Sequence, residues 1–416
     1  MHSPSKYALL GAAARGNGGS YLRGGHTLPL FRLARKGVSR GALVQALLCA
    51  GFFFLVVVAI AATSLSRGPN NDVQVLSVSA SPVMSDADAL LAMYPFATAS
   101  VPQQTELDAS ECERRYTLML VADNDRASHN ASAAEWHSAL RRGALCRRKG
   151  GGFSVTWLDE VPLTSQLAYQ GRGMELSTLT WFGGKLLACD DRTGVLFHII
   201  GGAAMPAHIL SDGVSATDAT RPRSFKCEWA SARHGALYVG GIGREWRAPH
   251  SGMLLSSNQN VLVLEHSGAV RSLNWTHVYE SLRDLAGVSP HGYLTHEAIL
   301  WDDETDSWLM LPRRASTEPF DDKEDEHKGA NFLLTHSGHE TSQPKLVRIQ
   351  GPLDPSKGFS AARFLPGANG EIVALRTQEI GDDTSTFLSV IRTDGTVLME
   401  DSYISSTKFE GLEVAV

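Results

Sequence analysis

No Gly-x-x-x-x-Gly-Lys-Ser/Thr run occurs in the 416 residues, so the chain has no loop to cradle a polyphosphate as P-loop NTPases do. Zinc chemistry lacks its ligands too. The five cysteines fall in neither a Cys-x-x-Cys nor any other zinc-ligand spacing, and His296-Glu297 is followed by Leu300 where a zincin needs its second histidine. The run Asp302-Asp-Glu-Thr-Asp306 opens like an EF-hand loop, but Ser307 stands where the turn glycine belongs and no helix flanks it. Helix is scarce throughout, with only residues 276–286 convincingly helical. The first forty residues contain no acid at all.

That acid-free stretch carries Lys6, Arg15, Arg23, Arg32, Arg35, Lys36 and Arg40 and runs directly into an uncharged segment, residues 41–66. The segment exceeds the ~20 apolar residues a membrane span needs and the ~7–15 of a cleaved signal peptide. It predicts a single transmembrane signal anchor. Basic residues favour the cytoplasmic side, so residues 1–40 are expected in the cytosol and everything after the anchor in the lumen or outside. Residues 67–111, rich in Ser, Ala, Asp and Pro, read as a stem. Because many basic residues sit before the anchor, the remainder is more acidic than the overall net charge of −6. Nucleic acid is therefore excluded as a partner, and an anionic ligand needs a bound cation and local arginines to approach. Cys112, Cys146, Cys189 and Cys227 follow the anchor; their three possible pairings stay open, as do buried thiols. Asn130-Ala-Ser132 and Asn274-Trp-Thr276 are glycosylation sequons.

From residue 112 onwards, short apolar runs alternate with Gly, Asn and Asp, as in 116–122, 185–189, 195–200, 236–239, 261–264, 308–311 and 371–375. This is an all-β pattern. Within it a unit repeats: an oxygen-bearing residue, a strand, a tight turn and a second strand. Ser177 precedes the turn Gly183-Gly184, Glu228 precedes His234-Gly235, Glu297 precedes a turn at 303–307, and Ser360 precedes one at 367–370; Glu410 opens a fifth unit that the C-terminus cuts short. Such spacing fits the blades of a propeller. The truncated unit needs a strand from elsewhere, and residues 116–122 are free to supply it, which removes an exposed edge.

Five oxygen donors in equivalent places would converge on one axis. Three carboxylates meeting there repel unless a cation lies between them, and calcium takes 6–8 hard oxygen ligands in flexible geometry. Ser177, Glu228, Glu297, Ser360 and Glu410 are thus the expected calcium ligands. A second constellation lies in Gly171-Arg-Gly-Met-Glu-Leu-Ser177 and Cys189-Asp-Asp-Arg-Thr-Gly194. Arginine's planar fork suits phosphate oxygens, which makes Arg172, Arg192, Arg313 and Arg314 candidates for binding an anionic substrate, with Asp191 beside them. Arg192 and Arg313 are expected to be exposed at the ligand, where they contribute little to stability. Glu175, Asp123, Asp125 and Asp190 are candidates to orient or deprotonate a water. The alternative for Asp190-Asp191-Arg192-Thr193-Gly194 is a hairpin turn, and Trp246 either stacks on a base or packs locally.

These boxes, with Lys226-Cys-Glu-Trp229, Tyr238-Val-Gly-Gly-Ile-Gly-Arg-Glu-Trp246, Tyr293-Leu-Thr-His-Glu297, Leu311-Pro-Arg-Arg-Ala-Ser316, Lys328-Gly-Ala-Asn331, Gly358-Phe-Ser360 and Lys408-Phe-Glu-Gly-Leu-Glu413, together resemble the successive motifs of the calcium-activated nucleotidase (apyrase) family, in its order. The resemblance runs from about Tyr116 to the C-terminus. It implies a five-bladed propeller with a central calcium site, hydrolysing nucleoside di- or triphosphates, with UDP and GDP favoured for a membrane-bound member of the Golgi or endoplasmic reticulum and a secreted form if the chain is cleaved. Thr178 stands where the family places Asp, so one carboxylate near the metal is missing. The rival expectation is a calcium-stabilised propeller that binds glycans or proteins without turnover. Oligomeric state is not legible.

Overall fold

A computed structural model describes residues 111–211, 224–247, 254–255, 257–339 and 343–415. The expected anchor at 41–66 and all but the last residue of the stem lie outside these, and no helix among the described residues is long and apolar enough to cross a membrane.

The described chain forms five antiparallel sheets arranged as the blades of a β-propeller. Blade 1 runs outward from Leu176–Phe182 through Lys185–Asp190 and Val195–Ile200 to Ala203–Ile209. Blade 2 comprises Trp229–Arg233, Ala236–Gly240, Asn260–Glu265 and Val270–Asn274, and blade 3 comprises Tyr293–Asp302, Ser307–Ser316, Phe332–His336 and Lys345–Arg348. Blade 4 comprises Lys357–Phe364, Glu371–Ile380, Asp383–Arg392 and Val397–Ser405. In blade 5 the C-terminal strand Phe409–Ala415 is innermost and pairs with the N-terminal strand Cys112–Ala122, which then pairs with Glu135–Arg148 and, through it, Phe153–Ser165. The ring is thus closed by the first and last described strands, with residues 116–122 in the role expected of them.

Local chemistry explains the hairpins. Gly183 and Gly184 both have positive φ, and His234-Gly235 does the same in blade 2; each pair joins strands paired immediately on either side, Phe182↔Lys185 and Arg233↔Ala236. Two consecutive left-handed residues make the turn whose twist matches that of the strands it joins.

Packing then makes the ring. Each apolar cluster draws on two neighbouring blades: Leu187 and Leu237 share one, Tyr238 and Trp308 another, and Leu309 with Ile372, Leu375 with Leu118, and Met119 with Leu179 share the remaining three. Inner strands are consequently buried on both faces, whereas the outer strand Ala203–Ile209 is mostly exposed. The α-helix Thr276–Ala286 lays Val278, Tyr279 and Leu282 into the cluster between blades 2 and 3. A polar side chain on an inner strand has no water to turn to, so its partners define what it does.

Candidate active site

Strand register places the five repeated residues equivalently. The pairing skips Ser177 between Leu176↔Asp190 and Thr178↔Cys189, Glu297 between His296↔Pro312 and Ala298↔Leu311, Ser360 between Phe359↔Arg376 and Ala361↔Leu375, and Glu410 between Gly411↔Val121 and Phe409↔Ala122. Glu228 has the same standing in blade 2, its N–H donating to Gly240 O, which already opposes Trp229. Each is the extra residue of a β-bulge, a device that leaves a residue unpaired and re-aims its side chain. Glu297 and Ser360 sit further into their strands than expected, because Tyr293–Asp302 and Lys357–Phe364 begin earlier than the other inner strands.

Ser177, Glu228, Glu297 and Glu410 line one cavity of about 10 Å³, room for a single water-sized sphere. Ser177 Oγ donates to Glu410 Oε2 at 3.4 Å. Ser360 is fully buried beside them, its hydroxyl donating to Phe409 O at 3.4 Å. The donors are all hard oxygens with no imidazole or thiolate among them, and the space suits one small ion, so these residues fit a calcium ion. Thr178, at the position where the family places Asp, accepts a hydrogen bond from Cys189 N at 3.2 Å and also lines the cavity.

Three cationic side chains hold the carboxylates in place. Lys226 Nζ contacts Glu228 and Asp191, and Arg313 contacts Glu297, Glu379 and Glu410. Lys408 Nζ lies 2.8 Å from Asp123, 2.6 Å from Asp125, 3.3 Å from Glu379 and 3.8 Å from Glu410. The last of these joins the axial cavity to a second group. Oxygens of Asp123, Asp125 and Glu175 all lie within 4.8 Å of one another. Arg172 secures them from the other side, with Nε donating to Glu175 Oε1 at 2.6 Å and Nη2 reaching Glu175 Oε2 and, at 2.9 Å, Asp125. Burial raises Glu175 to about 8 against the pull of Arg172. Burial would raise Asp123 as well, but Lys408 and the hydrogen bonds it receives bring it down to about 2. Asp125 alone of the three opens to solvent, its side chain 50% exposed.

Other expected residues fall differently. Asp190 is buried with both oxygens engaged: Oδ2 accepts from Met174 N at 2.8 Å and from Thr193 Oγ1 at 2.8 Å, and Oδ1 accepts from Arg192 N at 2.9 Å. That arrangement holds the left-handed Met174 and the turn to Gly194, so Asp190 shapes the site and has no oxygen left for water. Arg313 departs from the expectation of an exposed arginine: the pairing skips it between Thr295↔Arg314 and His296↔Pro312, and that bulge turns it into the axial carboxylates, where it is buried. Asp191 is buried against Lys226, with Oδ1 lacking a hydrogen-bond partner. Arg192 has no ion-pair partner among the described residues, and its Nε is unpartnered. The side chain of Trp246 lies outside the description.

Lys226, Lys408 and Glu379 were not among the expected site residues. Lys226-Cys-Glu228 and Lys408-Phe-Glu410 both place a lysine two residues before an expected ligand, and that shared spacing was the available signal. Glu379 carries none, since only the blade 4 register brings it to Arg313. Two disulfides, Cys112–Cys146 and Cys189–Cys227, settle the pairing. The second ties blade 1 to the approach of blade 2, fixing Asp190 and Asp191 beside Lys226 and Glu228.

A propeller with an oxygen-lined axial cavity beside a cluster of carboxylates and arginines defines a class of acid-rich, cation-fitted β-propellers. Among these, the apyrase family profile matches residues 124–415, and the chain belongs to that family. Soluble calcium-activated nucleotidase 1 of Rattus norvegicus is 40% identical over 302 residues, covering 72% of this chain and 73% of its own. An apyrase of Cimex lectularius is 34% identical over 305 residues, 72% of this chain and 82% of its own.

Proposed function

We propose that this protein is a calcium-dependent nucleoside diphosphatase, with UDP and GDP the favoured substrates and triphosphates also accepted. Membership of the apyrase family supports nucleotide hydrolysis, and the calcium in the rat relative's name agrees with the hard-oxygen axial set. The observation that carries the reading is the Lys408 ammonium, which joins axial Glu410 to Asp123 and Asp125 and so makes the ion site and the acid cluster one assembly.

In this reading Ser177, Glu228, Glu297, Ser360 and Glu410 hold calcium, which when bound offsets the negative charge of the phosphates. The chain's own residues do the rest, since phosphoryl transfer is mainly positioning and electrostatics. Asp125, the solvent-facing acid, orients the attacking water and accepts its proton. Glu175 grips Arg172, and Arg172 in turn fixes Asp125 and presents its remaining edge to a phosphate oxygen. Arg192, which has no ion pair among the described residues, and Arg314, whose Nε lies 3.5 Å from Asp325, supply further positive charge.

The proposed setting is the lumen of the Golgi or endoplasmic reticulum, where sugar transfer releases UDP and GDP. The basic residues before 41–66 support a type II anchor, and two disulfides support an oxidising compartment. Phosphate release by the purified full-length protein from UDP, GDP, ADP and their triphosphates, with and without calcium, tests the reading. Release from UDP or GDP that depends on calcium upholds it; no release from any nucleotide at saturating calcium rejects it.

A further inference from the structure

Two arginines near the axial cavity are buried with a single ion pair between them, that of Arg314 with Asp325. Arg314 is 2% exposed, and its Nε and Nη1 have no hydrogen-bond partner; the nearest carboxylate oxygen, on Asp325, is 3.5 Å from Nε. Arg244 is 8% exposed and has no carboxylate within ion-pair range among the described residues. Its Nε donates to Thr295 Oγ1 at 3.2 Å and its Nη1 to the carbonyl of Glu245 at 3.2 Å, both neutral acceptors. Burying a cation without enough opposing charge is costly, and two buried guanidiniums on adjacent blades with one ion pair between them, that of Arg314 with Asp325, point to an anion that arrives from outside.

The place is next to the axial site. Thr295 lies two residues before Glu297 on one strand, and Arg314 follows Arg313, which contacts Glu297 and Glu410. An aromatic surface stands over the pair. The Arg244 guanidinium is 3.9 Å from the centre of the Phe320 ring and 5.2 Å from that of Tyr293. Phe320 meets Tyr293 edge-on with ring centres 5.5 Å apart, yet remains 41% exposed. Tyr293 cannot turn away, because its hydroxyl donates to Asp325 at 2.5 Å. An exposed phenyl ring backed by a guanidinium offers a π-face for a planar ligand, and the arginines beneath offer a place for its phosphate.

We infer that Arg244, Arg314 and Phe320 form the nucleoside-end subsite, in which the two arginines hold the phosphate that stays on the product and Phe320 stacks on the base. This rests on the nucleotide reading above and extends it. Stacking on an aromatic face tolerates any base. The subsite therefore accepts purine and pyrimidine nucleotides alike, and selection of UDP or GDP follows from which nucleotide is present.

Calorimetric binding of UMP, GMP and inorganic phosphate to the full-length protein tests the subsite without requiring turnover. Phe320→Ala, at an exposed position, should weaken UMP and GMP equally, about tenfold, with inorganic phosphate unaffected. Arg244→Gln should weaken all three, and Arg244→Lys should restore part of the phosphate affinity while melting temperature tracks folding separately. In turnover, Phe320→Ala should raise KM for UDP and GDP by the same factor at constant kcat. Unchanged UMP and GMP affinity in Phe320→Ala overturns the subsite even if wild-type enzyme hydrolyses UDP. Phe320-dependent UMP binding by a protein that hydrolyses no nucleotide would instead uphold the subsite and reject the diphosphatase.

Discussion

Replacing Lys408 with methionine keeps most of the side-chain volume and removes one ammonium from the junction between the two acid groups. Its partners are not equal. Asp125 is half-exposed, so water and salt screen that pair and it contributes little to stability. Asp123 and Glu410 are only 4% exposed and lose their common cation in a place that water cannot reach. Breaking a buried pair by removing one partner costs about 3–5 kcal/mol, chiefly from the charge left uncompensated. Protonation of Glu410, which burial already favours, places the expected loss toward the lower end of that range. Chemical denaturation of the wild-type protein and Lys408→Met, without calcium, should show this difference. Calcium should then recover more stability in the variant than in wild type, because the ion neutralises carboxylates the lysine no longer serves. A loss under about 1 kcal/mol, the scale of an exposed pair, with identical calcium responses would refute the claim that Lys408 couples the two groups.

Asp125→Asn should reduce kcat on UDP at least a hundredfold, the lower range of a general base's contribution at ~10²–10⁴, with melting temperature unchanged; residual activity near wild type would remove Asp125 from the water. Arg192→Ala should raise KM while stability moves within ~0.5 kcal/mol. Arg313→Ala, by contrast, should destabilise by about 3 kcal/mol or more because it strands Glu297 and Glu410, a contrast that thermal melting of the two proteins reads directly. Cys189→Ala with Cys227→Ala should cost about 2–4 kcal/mol and weaken calcium activation, measured as the calcium concentration giving half-maximal phosphate release.

The ring and its closure could be read from the chain because both are periodic features. Tight turns recur at similar offsets after a Ser or Glu, and residues 116–122 were left over to pair with the C-terminal unit. Side-chain partnerships were less accessible. Arg313 and Arg314 look identical in sequence, but the bulge at Arg313 sends it into the axial carboxylates and leaves Arg314, paired with Thr295, with Nε and Nη1 lacking hydrogen-bond partners. Asp190 resembled a reactive acid, and only the backbone amides of Met174 and Arg192 reveal it as a turn-former. Glu379 had no local pattern, since its place depends on the register of a strand that begins at Glu371. Such roles depend on contacts between residues far apart in the chain, and periodicity carries no information about them.

The central claim is that one calcium ion at the axial oxygens organises the hydrolytic site. Calcium titration of wild-type protein and Glu410→Gln, following melting temperature and phosphate release from UDP in parallel, tests it most directly. Calcium should raise both in wild type, and Glu410→Gln should need more calcium for each, by the same factor, because ligand binding to the native state stabilises it by mass action. A wild-type protein whose melting temperature and activity both ignore calcium would contradict it.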